Sequence, residues 1–351
     1  MATKSRNRMT FERLKYYRNL GGGALACIKS RWSKTPKPLC FSLMVTNKCN
    51  CNCDYCFWKH KSDNEDMPLE EIQRLIKEAG ELGYLDTLLW GGEPLMRDDI
   101  TEIAKSAHDA GLYTKLSTNG WFLEENPGFG QYADLMFVSM DAVGKAHDDI
   151  RHCPGICDRV MSGIEYHKIH SPKMRIYVCC TVSAQTSFEQ IKEVSQFCKD
   201  ADILHYLTVN KSNQALEEAQ NVKDTELESD QLSELFVKLK ELKHQGYPIR
   251  NSDYFMDYII DKKNYYECAW PRIATVIYAN GDMLRCYDRQ PYMSVRGRAL
   301  KDVLSDPLFI ETVNKCQDCK LACVGNYALD ASGLWRLEWP AIKSLMQIAI
   351  T

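Results

Sequence analysis

From residue 41 onward, short apolar runs alternate with stretches whose apolar residues recur every three or four positions. Runs of the first kind read as buried strands, those of the second as amphipathic helices. Phe41–Thr46 predicts a first strand. Pro68–Gly83 carries Leu69, Ile72, Ile76 and Ala79 at helical spacing, with Pro just inside the start. Leu85–Trp90 predicts a second strand, and Arg97–Gly111 a helix ending in Gly. Leu112–Ser117 follows as a strand, then the turn signal Asn119–Gly120. Ala133–Met140, Met174–Val182 and Ile203–Val209 predict three further strands. Helices near Arg159–Ile169 and over Ser187–Lys199 separate these, the second opened by a Ser187/Gln190 capping box.

Six βα-type units in succession imply an α/β fold with a parallel sheet and helices outside it. Six fall short of the eight of a closed barrel, so the expected architecture is an open, partial (β/α)6 barrel. Such a fold places its chemistry at the C-terminal ends of the strands. Polar clusters occur there: Cys49 to Cys56, Gly91–Pro94, Ser117–Gly120, and Ser139 with Asp141. Residues 211–230 are polar and read as loop, and Leu232–Leu242 as a helix. Beyond Cys268 the pattern changes to a hairpin: Thr275–Tyr278, the turn Ala279–Asp282, then Met283–Tyr287.

Composition narrows the function classes. With 351 residues, 45% apolar and 26% charged, the chain is neither disordered nor fibrous. No apolar run reaches the roughly 18 residues needed to span a bilayer, and no secretory signal is recognised, so the expected compartment is the cytoplasm. In that reducing compartment the sixteen cysteines point to metal or redox chemistry rather than disulfides. Five of them, Cys27, Cys40, Cys179, Cys180 and Cys198, lie in apolar segments and read as small buried hydrophobes. Charge is uneven: residues 1–40 hold ten Lys or Arg against one acid, +9 within a chain of net −3. A basic leader suits an anionic surface, and the acidic remainder makes nucleic acid the weaker partner.

The loop after the first strand reads Cys49-Asn-Cys51-Asn-Cys53-Asp-Tyr55-Cys56-Phe57. Cys49, Cys53 and Cys56, in CxxxCxxC spacing, could hold a four-iron cluster by three corners and leave one iron open. A zinc knuckle with Cys51 as fourth ligand is the alternative. This spacing after the first strand of a βα array resembles the radical S-adenosylmethionine (SAM) superfamily. Gly91-Gly92-Glu93-Pro94 resembles that family's GGEP motif, which binds the amino group of SAM. Ser117 and Asn119 resemble the polar end of its third strand. Ser139, Asp141 and Arg151 resemble its SxD…HxxxR stretch, whose Arg meets the SAM carboxylate. Tyr55 and Phe57 would neighbour the adenine. His147 and Asp149 read as members of a solvated loop, and Cys153 and Cys157 as packed thiols.

Cys268, twelve residues, Gly281, four residues and Cys286, with Cys316, Cys319 and Cys323 later, resemble the SPASM/twitch extension of such enzymes. The resemblance implies a second, auxiliary [4Fe–4S] cluster on Cys268, Cys286, Cys316 and Cys319, with Cys323 either a substitute ligand or a free thiol. A zinc ribbon is the alternative there. The expected organisation is a basic amphipathic segment over 1–40, the barrel over 41–215, a helical linker over 216–262, the cysteine module over 263–330 and an amphipathic tail over 331–351. Both ends mix aromatic and apolar residues with few acids, which reads as a peripheral membrane anchor or as packing against the barrel. By resemblance, the catalytic [4Fe–4S] cluster reduces SAM to give a 5′-deoxyadenosyl radical, with a ferredoxin or flavodoxin as reductant. The substrate expected from the two ends is a lipid or isoprenoid at the membrane face. A peptide or small polar molecule is the alternative, and a zinc-stapled binding module the non-enzymatic one. Asp288, just past Cys286, is a candidate proton acceptor or a surface acid.

Overall fold

The computed structural model describes residues 11–33, 36, 38–56, 65–210, 224–263, 267–284, 286, 291–314 and 326–350. Six strands run parallel in chain order: β1 (Cys40–Thr46), β2 (Asp86–Gly91), β3 (Tyr113–Thr118), β4 (Leu135–Ser139), β5 (Arg175–Val182) and β6 (Leu204–Val209). Each lies within two residues of its expected bounds. Beyond β1 the sheet continues with β7 (Ala274–Ile277), β8 (Asp282–Leu284) and β9 (Met293–Ser294), in the order β6-β5-β4-β3-β2-β1-β7-β8-β9. The expected hairpin is present, since β7 and β8 pair antiparallel. Its attachment to the sheet is new: β7 pairs with β1 in parallel, with Cys40 opposite Ala274. Nothing local in the sequence encodes that pairing, because the two strands are separated by most of the chain.

Helices cover one face of the sheet. Phe41, Leu43, Val45, Leu89, Leu116, Met136 and Val138 are buried there. They meet α2 (Leu69–Glu81) through Ile72, Leu75 and Ile76, and α3 (Ile100–Asp109) through Ile103 and Ala104. Side chains alternate along a strand. The opposite, inner face therefore carries Leu88, Tyr113, Leu135, Phe137, Tyr177, Cys179 and Tyr206, packed as a second cluster. Pro68 is the N-cap of α2, at φ −67°, one position outside the helix rather than just inside it. A short helix, α4 (Lys145–Arg151), stands where a solvated loop is expected; His147, Ile150 and Arg151 are buried on it. It leads into α5 (Ile156–His170). The helix α6 (Phe188–Asp200) has the expected capping box, with the Ser187 hydroxyl accepting from the Gln190 N–H.

The two ends pack on each other. The helix α1 (Phe11–Ser30) lies against the helix Asn326–Trp335, where the Cys27 thiol donates to the Ala331 carbonyl at 3.1 Å. Cys27, Ala269, Ile273 and Trp335 form a small core, and Arg31 stacks 5.7 Å over the Trp335 ring. Trp32 and Trp339 stay 67% and 65% exposed beside this seam, so packing accounts for only part of the aromatic content. Among the described residues no helix is long and apolar enough to cross a membrane.

The sheet core and the helix caps differ in energetic weight. Leu89→Ala empties a fully buried position in a central strand and is expected to cost about 2–5 kcal/mol. Ser187→Ala removes one capping bond and is expected to cost about 1 kcal/mol. Urea unfolding of the two variants checks the order; equal losses would mean that β2 is not packed as described.

Candidate active site

At its end β1 delivers a loop whose thiols are fastened from several sides. Asp66 clamps the start: the Thr46 hydroxyl donates to it at 2.6 Å, and the Asn47 backbone and side-chain amides at 2.9 and 3.0 Å. The Gly91–Glu93 segment holds the next turn by backbone bonds, Gly92 N–H to Thr46 at 2.9 Å and Glu93 N–H to Lys48 at 2.7 Å. Only glycine fits there. A Cβ on Gly91 would meet the Thr46 carbonyl at 2.4 Å, and one on Gly92 the Lys48 carbonyl at 2.2 Å. These glycines thus permit the close approach of two protein backbones.

Glu93 braces the same corner of the site. Its carboxylate is fully buried and accepts from Leu95 N–H (3.0 Å), the Thr118 hydroxyl (2.6 Å) and Asn119 N–H (2.6 Å). It is a strut between the end of β2 and the end of β3. Burial raises its pKa to about 7 against the lowering effect of those three bonds. Pro94 opens a short 3-10 turn behind it.

The far side of the loop rests on α4. Asn52 N–H donates to the Arg151 carbonyl at 3.2 Å. The Tyr55 hydroxyl donates to Asp141 at 2.7 Å, and Arg151 Nε to the same oxygen at 2.8 Å. Thr181 N–H donates to the other carboxylate oxygen at 2.8 Å. Burial alone would raise the Asp141 pKa, but the Arg151 guanidinium holds it below the usual range. His147 is fully buried, and its Nδ1 accepts from Asp141 N–H at 3.0 Å. Burial, with the Arg151 charge, lowers its pKa to about 4 and keeps the ring neutral. Asp149 does remain exposed, paired with Lys145 on the outside of α4. Asp54 ties the loop to His152 at 2.9 Å and to Gln185 at 2.9 Å.

The fold therefore gathers Cys49, Cys53, Cys56, Tyr55, Gly91, Gly92, Glu93, Pro94, Asn119, Asp141 and Arg151 at one end of the sheet. Ser117 and Ser139 are half-buried near the same ends of β3 and β4. Cys153 and Cys157 are buried thiols, the first accepting weakly from Asn50 at 3.8 Å and the second from Gly144 N–H at 3.0 Å. Cys268 and Cys286 are half-buried. Phe57, Asp288, Cys316, Cys319 and Cys323 lie outside the described residues. Asp66, Asp54, Gln185 and Thr118 belong to the site, yet no spacing rule points to them. Thr118 ends β3, and Asp54 and Gln185 follow β1 and β5 by a few residues, whereas Asp66 carries no such signal.

The donor set suits an iron–sulfur cluster. Hydrogen bonding by Cys51 lowers the Cys53 pKa to about 6, against burial and helped by the Arg151 charge; the same partner lowers Cys49. Thiolate is the form that binds iron. A four-iron cluster takes each thiolate on a different iron.

Two predictions follow from this packing. Gly92→Ala should push the loop away, so iron retained after anaerobic reconstitution should fall to the level of the Cys49/Cys53/Cys56→Ala triple. Gly22→Ala, whose Cβ would meet only Leu85 at 3.8 Å, should retain wild-type iron. Equal iron in both would remove the steric account. The second concerns pH. Glu93, raised from 4.5 to about 7, adds stability that is full below 4.5 and lost as pH rises through 7. His147, lowered from 6.5 to about 4, adds stability present above 6.5 and lost as pH falls through 4. The two oppose each other. In Glu93→Gln, stability of the metal-free protein should climb more steeply between pH 4.5 and 7 than in wild type, by up to about 1.4 kcal/mol per pH unit. Parallel urea-unfolding profiles would show that Glu93 titrates normally.

Comparison with known proteins adds a family. Residues 43–177 match the model of the Radical SAM superfamily. An AdoMet-dependent heme synthase of Methanosarcina barkeri is 31% identical over 180 residues, 49% of this chain and 50% of that protein. A PqqA peptide cyclase of Bradyrhizobium diazoefficiens is 26% identical over 218 residues, 58% of this chain and 55% of that one. The chain spans about half the length of these curated relatives. Among solved structures, Streptococcus suis SuiB bound to its precursor peptide SuiA superposes with a TM-score of 0.67 at 18% identity, covering 93% of this chain and 79% of that one. The last likeness concerns the fold.

Proposed function

The chain belongs to the radical SAM superfamily, and from that premise we propose that it is a peptide-modifying enzyme of the SPASM/twitch kind. The observation that carries the proposal is the thiol loop after β1, fastened by Asp66, Gly92, Glu93, Arg151 and Asp141. A [4Fe–4S] cluster with one open iron supplies, when bound, the electron that cleaves SAM reductively and leaves a 5′-deoxyadenosyl radical to take hydrogen from an unactivated carbon. Cys49, Cys53 and Cys56 would hold it, and a ferredoxin or flavodoxin would serve as reductant.

The protein's own contribution is placement. Arg151 uses Nε on Asp141, which orients its guanidinium beside the loop for a carboxylate to approach. Tyr55, turned by its bond to the same Asp141, lies 5.7 Å from that guanidinium. The backbone of Gly91–Pro94, with Ser117, Asn119 and Ser139, would line the remainder of the cofactor's bed. The inner face of the sheet, with Phe137, Tyr177 and Tyr206, would exclude water from the reacting carbon.

A second cluster on Cys268 and Cys286, completed by Cys316 and Cys319 or Cys323, extends the proposal to the module over 263–330, with 41–215 as the catalytic barrel. Support for a peptide substrate comes from the relatives: one bears the name of a peptide cyclase, and the fold of a peptide-bound enzyme covers most of this chain. The lipid substrate and the membrane contact expected from the chain ends find no such support.

The test is anaerobic reconstitution, metal analysis and turnover. Wild type should hold about eight irons, the Cys49/Cys53/Cys56→Ala triple about four, as two four-iron clusters require. 5′-Deoxyadenosine should form from SAM under reductant in wild type alone. A randomised peptide pool should then show SAM-dependent mass changes absent with the triple. Zinc without iron and no cleavage in wild type would overturn the enzyme; cleavage stimulated by polyprenyl lipid vesicles and not by peptides would overturn the substrate class.

A further inference from the structure

Three thiols and two amides crowd the end of the loop, and one of the thiols, Cys51, has no place in the CxxxCxxC set. Cys51 lies between two ligand candidates, with its thiol in hydrogen-bonding reach of both Cys49 and Cys53. Its backbone N–H donates to the Cys49 sulfur at 3.4 Å. Facing it is Asn119, 6% exposed at the end of β3. The Asn119 Nδ2 donates to the Cys51 sulfur at 3.3 Å, to Asn50 Oδ1 at 2.7 Å and, at 3.9 Å, to the Cys49 sulfur.

The direction of that amide is fixed. Asn119 Oδ1 accepts from Trp121 N–H at 2.9 Å, and Asn119 N–H donates to Glu93 at 2.6 Å. Turning the amide over would set Nδ2 against the Trp121 N–H and Oδ1 against sulfur and the Asn50 oxygen, losing every bond. The donor end must therefore point at the sulfurs. The Asn47–Cys56 loop and the segment after β2 meet at this one residue of β3's end, Asn50 and Cys51 on its side-chain amide and Glu93 on its backbone N–H.

We propose that Asn119, acting through Cys51, is a positioning and tuning residue for the iron–sulfur cluster that Cys49, Cys53 and Cys56 hold. Cys51 is then a hydrogen-bonding neighbour and not a ligand. This rests on the iron–sulfur assignment made above. Hydrogen bonds to ligand sulfurs draw negative charge from them and stabilise the more negative, reduced cluster. Their removal makes reduction harder and the potential more negative. Asn119→Asp keeps the shape and deletes the donor; Cys51→Ala deletes the relay.

The experiment is an anaerobic redox titration, followed by electron paramagnetic resonance, of the signal that wild type has and the Cys49/Cys53/Cys56→Ala triple lacks. Iron per chain is measured alongside. Asn119→Asp and Cys51→Ala should keep wild-type iron and shift that midpoint to more negative potential. Asn119→Ser, which restores a hydroxyl donor, should lie closer to wild type than Asn119→Asp. Unchanged midpoints in both variants would overturn the tuning role. Iron lost from Cys51→Ala would make Cys51 a ligand and overturn the relay; iron lost from folded Asn119 variants would make that residue structural only. Wild type that takes up zinc and no iron fails one step earlier, at the iron–sulfur assignment.

Discussion

The site depends on a contact between two backbones. Gly92 passes so close to the Lys48 carbonyl that no side chain fits between them. The pair of bonds from Gly92 and Glu93 to Thr46 and Lys48 extends the β1–β2 pairing past the ends of the strands. A loop of ten residues would ordinarily sample many shapes, at a cost of about 1–2 kcal/mol for each residue ordered. Here it inherits the rigidity of a central pair of strands. Everything attached to it, the three thiols and Tyr55 included, takes its position from that seam.

Burial of charge accounts for the next layer. Asp141 and Glu93 are both sealed from water, and the fold treats them differently. Asp141 receives a guanidinium, a phenol and a backbone N–H, and stays ionised. Glu93 has no cation bonded to it and shifts towards its neutral form. A buried ion with its partner removed is strongly destabilising. That makes Asp141 and Arg151 a unit: one orients the other, and loss of either leaves an uncompensated charge beside the thiols. The role implied for Arg151 by resemblance, meeting a carboxylate, is compatible with this because Asp141 engages only Nε.

Most of the fold was legible because the sheet is buried on its helical face and its strands are separated by amphipathic helices. Period and caps then carry the information, as at β1–β6 and Ser187. Two kinds of feature escaped. The helix α4 has no apolar stripe: its buried residues are His147, Ile150 and Arg151, and two of these are polar because they serve the site. The β7–β1 pairing is non-local, and a parallel pair leaves no turn signal. In the site, motif residues such as Gly92 and Cys53 were legible from spacing. Asp66, Asp54 and Gln185 were not, because each acts through a bond to the backbone or side chains of a distant segment.

The non-local pairing also sets where the hairpin turns. Since β7 runs parallel to β1, the turn Ala279–Asp282 lies at the same end as the thiol loop. The returning strand β8 leads away from it. Its last residue, Leu284, faces Val276, which pairs with Ser42 near the start of β1. Cys268 precedes β7 and packs on the cluster that holds Leu207, Phe255 and Leu329. The turn is also tied to the clamp of the thiol loop, since Met67 N–H, next to Asp66, donates to the Ala279 carbonyl at 2.6 Å. A hairpin from late in the chain thus helps to hold the segment that orders the thiols.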